Sequence, residues 1–255
     1  MEYGFIGVGA IAAAIVTGLC KDVESAPEIL LSPRNAGMAA RLAGCYPTVR
    51  IGADNQAVVD GASTLILCLR PQDARAVLKD LVFADDQIII SAMAGVSVEA
   101  IKLLVAPARE VSRVIPLPPV AERNGMTPIH PPSAAAKALF GRLGETIDLH
   151  DVDAFDALSA STSTIAAHFA YLNTISRWLV SRNIPEPAAR RYVASTFAGL
   201  ATALGSGRDF EQLSRDHATP GGINELFLTI LNEAGVFEDV SLGLQRAFDR
   251  LKTLA

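Results

Sequence analysis

The hydrophobic pattern of this chain changes near residue 150. Before that point, short apolar runs of strand length alternate with helical segments; the runs are Tyr3 to Ile6, Glu28 to Leu31, Val49 to Gly52, Ser63 to Leu69, Asp86 to Ala92 and Val111 to Ile115. Strands that alternate with helices predict a doubly wound parallel sheet with helices on both faces, a Rossmann-type α/β fold. Residues 1–150 are therefore predicted to form this domain.

The chain after the last of these runs is predicted to become helical. Met126 to His130 is interpreted as an edge strand, followed by a helix at Ser133 to Leu143 and a short strand at Glu145 to Leu149. Helical periodicity then predicts segments at Asp153 to Arg182, Pro185 to Leu204, after the cap Asp209, at Ile223 to Glu233 and at Phe237 to Leu251. Apolar residues lie around several of them, which indicates that the helical region 151–255 forms half of a dimer interface.

A glycine-rich turn follows the first strand without a spacer. Gly7-Val8-Gly9-Ala10-Ile11-Ala12 is G-x-G-x-x-A, and a helix begins within it. In dinucleotide-binding folds the first glycine makes the turn, the second admits the pyrophosphate, and the small third residue packs against the strand. Gly7, Gly9, Ala10, Ile11 and Ala12 are thus predicted to bind a cofactor, the alternative being a structural turn without a ligand.

The tip of the second strand favours NADP(H) over NAD(H). An acid at this position would accept hydrogen bonds from the ribose 2′-hydroxyl and repel a 2′-phosphate, but the chain has Ser32, Arg34 and Asn35 there. These residues offer donors and a positive charge, so NAD(H) is expected to bind with lower affinity. The alternative for Arg34 is an ordinary solvated loop cation.

Four further positions at strand ends, and one at a helix start, are expected near the cofactor. Loops at the carboxyl ends of parallel strands are where α/β sheets bind ligands. The predicted cofactor-binding residues there are Leu69, Arg70 and Pro71 after the fourth strand, Ala94 after the fifth, and Asn55 within the helix cap Asp54-Asn55-Gln56. Ser97 is predicted to cap the helix that follows the fifth strand.

Composition excludes several classes of partner. The net charge is −5, with 13 basic and 15 acidic residues up to residue 150 and 9 and 12 after it, so neither half is a basic nucleic-acid surface. No apolar run reaches membrane-spanning length, and the three cysteines suit a reducing compartment, so we expect a cytoplasmic protein. His130 and His150 lack partners at metal-ligand spacing, and no metal site is predicted.

Six motifs, in order and at the right spacing, resemble the Δ1-pyrroline-5-carboxylate reductase family. They are GFIGVGAIA at 4–12, LSPRNA at 31–36, LCLRPQ at 67–72, SAMAGVS at 91–97, RVIPLPP at 113–119 and TPGGINE at 219–225. The resemblance implies an NADPH-binding domain, an all-helical dimerisation domain, an active site near the proline–glycine–glycine turn, and reduction of a cyclic imine carboxylate to proline.

The departures from the family pattern lie in the substrate half. Leu117 replaces the usual Asn between the prolines of M-P-N-T-P, and Asn224 replaces the usual Thr after the glycines. The usual S-G-S-G-P-A-Y becomes the segment 159–165, SASTSTI. The chain therefore resembles a divergent member, whose substrate could be another cyclic imine.

The predicted chemistry is hydride delivery to carbon and proton delivery to nitrogen. A cyclic imine binds already protonated, so positioning should dominate, and the segment 153–182 lacks the lysine of related hydroxyacid dehydrogenases. Ser161, His168, Thr219 and Asn224 are the predicted catalytic residues, with Thr162, Gly221 and Gly222 in substrate binding. Ser161, Thr164, His168 and Tyr171 are expected to form one polar stripe on a long helix.

Three hypotheses stay open at this point. The first is an NADPH-dependent imine reductase acting as a homodimer, which could assemble further into a ring. The second is a non-catalytic NADP-binding protein, in keeping with Leu117, Thr162 and Asn224. The third is a hydroxyacid dehydrogenase with His168 as base.

Overall fold

A computed structural model describes residues 2–254 and contains one eight-stranded sheet. Met1 and Ala255, the outer ends of the two predicted domains, lie outside these residues. The strands are β1 (Tyr3–Ile6), β2 (Ile29–Leu31), β3 (Val49–Ile51), β4 (Thr64–Leu67), β5 (Ile88–Ser91), β6 (Glu110–Val114), β7 (Gly125–His130) and β8 (Gly144–Asp148). Six of them were predicted from the apolar runs and the last two as an edge strand and a short strand, within one or two residues at their ends.

The strand order is β3-β2-β1-β4-β5-β6-β7-β8. Every pair is parallel except β6 and β7, which run antiparallel with Arg113 opposite His130. The Rossmann-type prediction is confirmed. The prediction that Met126 to His130 forms an edge strand is wrong, because β8 pairs along the outer side of β7 from Gly125 to Ile129.

Thirteen α-helices are described in residues 2–254. Those of the α/β part are α1 (Ala10–Cys20), α2 (Ala36–Cys45), α3 (Asn55–Asp60), α4 (Pro71–Leu78), α5 (Val98–Leu104) and α6 (Ala134–Gly141). The later ones are α7 (Val152–Ser161), α8 (Thr164–Ser181), α9 (Glu186–Ala198), α10 (Ala201–Leu204), α11 (Phe210–His217), α12 (Ile223–Glu233) and α13 (Val236–Leu254). A short 3₁₀ helix covers Pro118–Glu122.

Buried strands and helix caps explain why these segments take these forms. All four residues of β1 and of β4 are buried, because helices cover both faces of a parallel sheet. The predicted caps Ser97 and Asp209 are confirmed, since Ser97 Oγ accepts from Ala100 N at 3.2 Å and Asp209 Oδ1 from Gln212 N at 2.6 Å.

The prediction of a single helix from Asp153 to Arg182 is wrong. Helix α7 ends at Ser161 and α8 begins at Thr164. The Thr164 hydroxyl donates to the Ser161 carbonyl at 2.7 Å, and Ser163 N–H donates to Ala160 O at 3.0 Å. Short hydroxyl side chains compete with the backbone for helical hydrogen bonds, which explains a break inside the run Ser161-Thr162-Ser163-Thr164.

The predicted helix from Pro185 to Leu204 is also divided. Helix α9 ends at Ala198, Gly199 follows it, and α10 begins only at Ala201. Gly199 N–H donates to Ser195 O at 3.0 Å and closes the last turn of α9. Glycine weakens a helix interior, so a helix that runs up to it ends there readily.

The chain separates into two compact units. The first extends to Ser159 and resumes at Phe248, and the second is Ala160–Ala247. The predicted functional division at residue 150 stays a prediction. Within the first unit, the Lys252 ammonium pairs with Asp153 at 3.0 Å, so the last turns of α13 belong with the start of α7. No described helix is both long and apolar enough to span a membrane.

The second unit has a small core and an oily surface. Its buried hydrophobic side chains, among the described residues, are Ala160, Ala189, Val193 and Leu213. Large apolar side chains stay exposed instead, such as Phe169 at 64 % and Ile223 at 84 %. Exposed apolar surface on this scale is typical of a subunit that associates with a partner.

Candidate functional site

The glycine turn after β1 has the form that a dinucleotide requires. Gly7 adopts φ +91°, and a Cβ there would lie 2.6 Å from the Cys68 carbonyl oxygen, so no other residue fits. A Cβ on Gly9 would meet no atom within 4 Å. Gly9 is therefore not needed for packing, and the open space beside it can admit a pyrophosphate.

Helix α1 presents its first turn to this space. Gly9 is its N-cap without a side-chain hydrogen bond, and Ala10 and Ile11 are exposed or half-buried. The first N–H groups of a helix lack internal acceptors and carry the positive end of its dipole, which suits an anion. Ala12 is fully buried, as expected of the small residue that lets α1 pack against the sheet.

The three residues predicted to contact the 2′-phosphate differ in their burial and in their hydrogen-bond partners. Ser32 is buried, and its hydroxyl accepts a hydrogen bond from Gly7 N–H at 2.9 Å, so it stabilises the glycine turn. Asn35 caps α2 and donates to the Val8 carbonyl at 2.8 Å. Arg34 is exposed and has no ion-pair partner within residues 2–254. Arg34 is thus the residue of the three whose charge is available to a phosphate.

The remaining predicted cofactor residues lie after strands β4 and β5 and at the start of α3. Leu69 is half-buried, with its Cδ2 atom 3.0 Å from a Cβ placed on Gly7, and Arg70 and Pro71 begin α4. Ala94 is exposed after β5. Since β1, β4 and β5 are neighbours, their carboxyl ends form one edge beside the glycine turn.

Asn55 is the first residue of α3 and half-buried there, while Asp54 alone forms the cap and accepts from Ala57 N at 2.8 Å. Burial of the Cys68 thiol under this edge raises its pKa to about 12, so Cys68 stays protonated at neutral pH. These cofactor assignments stay predictions.

The proline–glycine–glycine turn precedes α12, as predicted. Gly221 has φ +74°, and Gly222 N–H donates to Thr219 O at 2.8 Å. Gly221 N–H donates to Glu225 Oε2 at 2.7 Å, a hydrogen bond that was not predicted from the sequence. Its signal was an acid in the first turn of a helix, where carboxylates commonly accept from free N–H groups.

Asn224 is already used within this turn. Its amide donates to the His217 carbonyl at 3.1 Å, which ties the start of α12 to the end of α11. Thr219 is exposed. The proposed catalytic and substrate roles of Thr219, Gly221, Gly222 and Asn224 stay predictions, with Asn224 able to offer only its second amide hydrogen.

The predicted polar stripe is wrong in one respect. Thr164, His168 and Tyr171 lie on α8 at helical spacing, but Ser161 ends α7 and Thr162 lies in the break. His168 is exposed, with its ring 6.2 Å from that of Phe197, and Tyr171 lies 5.9 Å from the same ring. The roles predicted for Ser161, Thr162 and His168 are untested by these contacts.

A buried ion pair, also missed from the sequence, fixes the start of the helical segment. Arg113 in β6 donates to Asp156 in α7 at 2.9 Å, with side-chain exposures of 4 % and 8 %. The Arg113 guanidinium lies 4.6 Å from the centre of the Phe155 ring. The ring of His130 lies 5.7 Å from Phe155. No cluster of three metal-binding side chains occurs in residues 2–254.

Comparison with known proteins gives two family models that match separate parts of the chain. The model described as NADP oxidoreductase coenzyme F420-dependent matches residues 2–95, and pyrroline-5-carboxylate reductase dimerisation matches residues 150–254. A crystal structure of 1-pyrroline-5-carboxylate reductase from Streptococcus pyogenes matches with a TM-score of 0.84 and 26 % identity, covering 99 % of this chain and 98 % of that one. These matches support membership of the pyrroline-5-carboxylate reductase family.

Similarity to other pyrroline-5-carboxylate reductases extends over the whole chain. The Haemophilus influenzae enzyme is 25 % identical over 258 residues, covering 96 % of this chain and 94 % of that protein. Pyrroline-5-carboxylate reductase 3 of Rattus norvegicus is 28 % identical over 267 residues, covering 99 % and 95 %. The protein is thus a divergent oxidoreductase of the family, with an NAD(P)-binding fold and a region that serves oligomerisation.

Proposed function

We propose that this protein reduces 1-pyrroline-5-carboxylate to L-proline with NADPH, as a cytoplasmic homodimer in proline biosynthesis. The observation that carries the proposal is the similarity to pyrroline-5-carboxylate reductases along nearly the whole chain, joined to a glycine turn with open space beside Gly9. NADPH, when bound, supplies the hydride that reduces the imine carbon. NAD(H) is proposed to bind with lower affinity, because Arg34 favours the 2′-phosphate.

The residues around the turn have defined tasks in this proposal. The turn Gly7 to Gly9 and the first N–H groups of α1 hold the pyrophosphate, and Arg34 holds the 2′-phosphate. The substrate enters as the protonated iminium, so its nitrogen takes up the electron pair of the C=N bond and needs no further proton. Ser161 is proposed to bind the imine or its carboxylate and Thr162 to contact the substrate, and His168 is proposed as a proton donor when the imine arrives neutral.

The substrate carboxylate is proposed to bind at the turn formed by Pro220, Gly221 and Gly222. Thr219 offers a hydroxyl, and Asn224 its free amide hydrogen. Because Gly221 N–H already donates to Glu225 at 2.7 Å, a substrate carboxylate must displace that side chain or bind beside it. This contact supports a second candidate, the reduction of a cyclic imine that lacks the 5-carboxylate.

One experiment separates these candidates. Initial rates of NADPH oxidation are measured with pyrroline-5-carboxylate, pyrroline-2-carboxylate, uncarboxylated 1-pyrroline and a six-membered imine, beside hydroxyacid oxidation with NADP⁺. Highest kcat/KM with pyrroline-5-carboxylate supports the first proposal, and highest kcat/KM with 1-pyrroline supports the second. Tight NADPH binding without turnover of any imine would overturn both and indicate a non-catalytic binding protein.

Sedimentation equilibrium tests the proposed homodimer independently of the activity. Sedimentation equilibrium is expected to give twice the chain mass at micromolar concentration. A mass of several dimers would support the further assembly of dimers into a ring, and a monomer mass at all concentrations would contradict the homodimer.

A further inference from the structure

The hairpin of α8 and α9 carries an excess of positive charge. Between residues 173 and 194 the chain has four arginines and one glutamate, although the whole chain has a net charge of −5. All of these residues lie within the second compact unit. The charge is therefore concentrated in one hairpin.

Three of these arginines have no protein partner. Arg177, Arg190 and Arg191 form no ion pair or hydrogen bond with another residue of 2–254, and all three are exposed. Glu186, the acid of the hairpin, is not within ion-pair distance of any of them. Elsewhere on this protein exposed cations do find carboxylates, as Arg208 does with Asp216. The hairpin thus holds three guanidinium groups that form no ion pair with a described residue, and Glu186 is its one acid.

Arg190 lies at the concave part of the hairpin surface. It lines three adjoining grooves with volumes of about 660, 420 and 280 Å³. Arg191 lines the largest and Arg177 the second. These volumes suit a small molecule rather than a single ion.

A serine hydroxyl without a partner in residues 2–254 lines two of these grooves. Ser176 is 8 % exposed, lines the two smaller grooves together with Asn173, and makes no hydrogen bond to another described residue. A hydroxyl that lines a groove can donate a hydrogen bond to a ligand bound there. Because Arg177 and Arg190 line one of the same grooves, these groups together suit a ligand that accepts hydrogen bonds.

We propose that the α8–α9 hairpin binds a small multivalent anion between Arg177 and Arg190, and that Ser176 and Asn173 donate hydrogen bonds to it. Guanidinium groups bind phosphate and carboxylate oxygens in pairs of parallel hydrogen bonds, and the hydroxyl and amide add neutral donors. The ligand class is a small molecule with phosphate groups or several carboxylates. All of these residues belong to the second unit, whereas the glycine turn proposed to bind the dinucleotide belongs to the first.

The single tryptophan of the chain reports on this site directly. Trp178 follows Arg177 on α8 and is 57 % exposed. Inorganic pyrophosphate is titrated into the whole protein and into Gly9→Val, in which the dinucleotide site is obstructed, with tryptophan fluorescence and calorimetry as parallel measurements. We expect saturable binding in both proteins, weakened by added potassium chloride. A citrate titration decides whether carboxylates serve as well as phosphates.

Matched variants decide the outcome. Arg177→Ala and Arg190→Ala are each expected to raise the pyrophosphate Kd at least about tenfold, Ser176→Ala about threefold, and Arg246→Ala on α13 not at all. The proposal would be overturned if calorimetry gave no binding heat with pyrophosphate or citrate, or if Arg246→Ala raised the pyrophosphate Kd as much as the other variants do. It would also be overturned if the arginine variants lost self-association while the unaltered protein did not bind pyrophosphate. This last result would show that the arginines pair with a second copy of the chain.

Discussion

At the scale of single residues, the two glycines of the first turn are required for different reasons. Gly7 is held by the fold, since its positive φ and the nearby Cys68 carbonyl exclude a side chain. Gly9 has φ −94° and open space around its Cα, so the fold alone would accept another residue there. A glycine that packing does not explain is best explained by a ligand that approaches the backbone.

Gly9→Val is therefore expected to remove NADPH binding and leave the protein folded. The valine side chain occupies the space proposed for the pyrophosphate, and calorimetry should show an NADPH Kd raised at least about 100-fold. Gly44→Val is the control, because a Cβ at that exposed position in α2 also meets no atom within 4 Å. Unchanged NADPH affinity in Gly9→Val, with an unaltered thermal unfolding curve, would contradict the assignment of the turn.

Arg34→Glu tests the choice between the two dinucleotides. A carboxylate beside the 2′-phosphate replaces attraction by repulsion, so KM for NADPH should rise at least about tenfold while KM for NADH changes little. Arg109→Glu makes the same change of net charge at an exposed position before β6 and should alter neither constant. An equal rise of both constants in Arg34→Glu would remove the NADPH preference.

At the scale of elements, one ion pair fixes α7 to the sheet. Arg113 belongs to β6 and Asp156 to α7, and both side chains are almost wholly withdrawn from water. Removing one partner of such a pair leaves a buried charge without compensation, which costs far more than losing an exposed pair. The contact also lies where strand-like sequence gives way to helical sequence, so it holds the start of the helical segment.

Asp156→Ala is expected to lower the free energy of unfolding by about 3 kcal/mol in urea titrations. The control is Asp148→Ala, whose partner Lys137 lies 2.6 Å away with a side chain 60 % exposed, and which should cost less than about 1 kcal/mol. The double change Arg113→Met and Asp156→Leu should recover most of the loss, since it leaves no buried charge. Equal costs for the two aspartates would show that burial of the pair is unimportant.

At the scale of the whole molecule, α12 has an apolar face that its own chain does not cover. Ile223, Leu226, Phe227 and Ile230 recur at helical spacing, with exposures of 84, 61, 48 and 50 %. No residue of α12 is buried. A helix with a stripe of this kind normally packs that stripe against another element, and a second copy of the chain supplies one in the proposed homodimer.

The combined change Leu226→Asp and Ile230→Asp is expected to shift the protein to monomers. Charges in an apolar interface are costly, so sedimentation equilibrium should show a dimer dissociation constant raised at least about tenfold. Leu103→Asp is the control, because Leu103 lies in the first unit and is 83 % exposed. A dimer that survives the α12 change with an unaltered dissociation constant would exclude this face as the interface.

The sequence by itself was sufficient for the elements and their order. The alternation of apolar runs and helical periods is local, and it predicted eight strands, the helix caps at Ser97 and Asp209, and the glycine turn between β1 and α1. The sequence-based prediction was wrong where the local preferences for continuing and for ending a helix were nearly equal. The hydroxyl-rich run from Ser161 to Thr164 breaks a helix that periodicity alone would continue.

Tertiary structure decided which side chains of the candidate site are free to bind. Ser32 supports Gly7 across 25 residues of sequence, Asn35 holds Val8, and Asp156 meets Arg113 across 43 residues. Composition and spacing cannot distinguish such contacts from free donors, because they depend on where distant segments come together. The residue types of the site could therefore be predicted from the sequence, but the availability of Arg34 and the engagement of Gly221 by Glu225 depend on the folded chain.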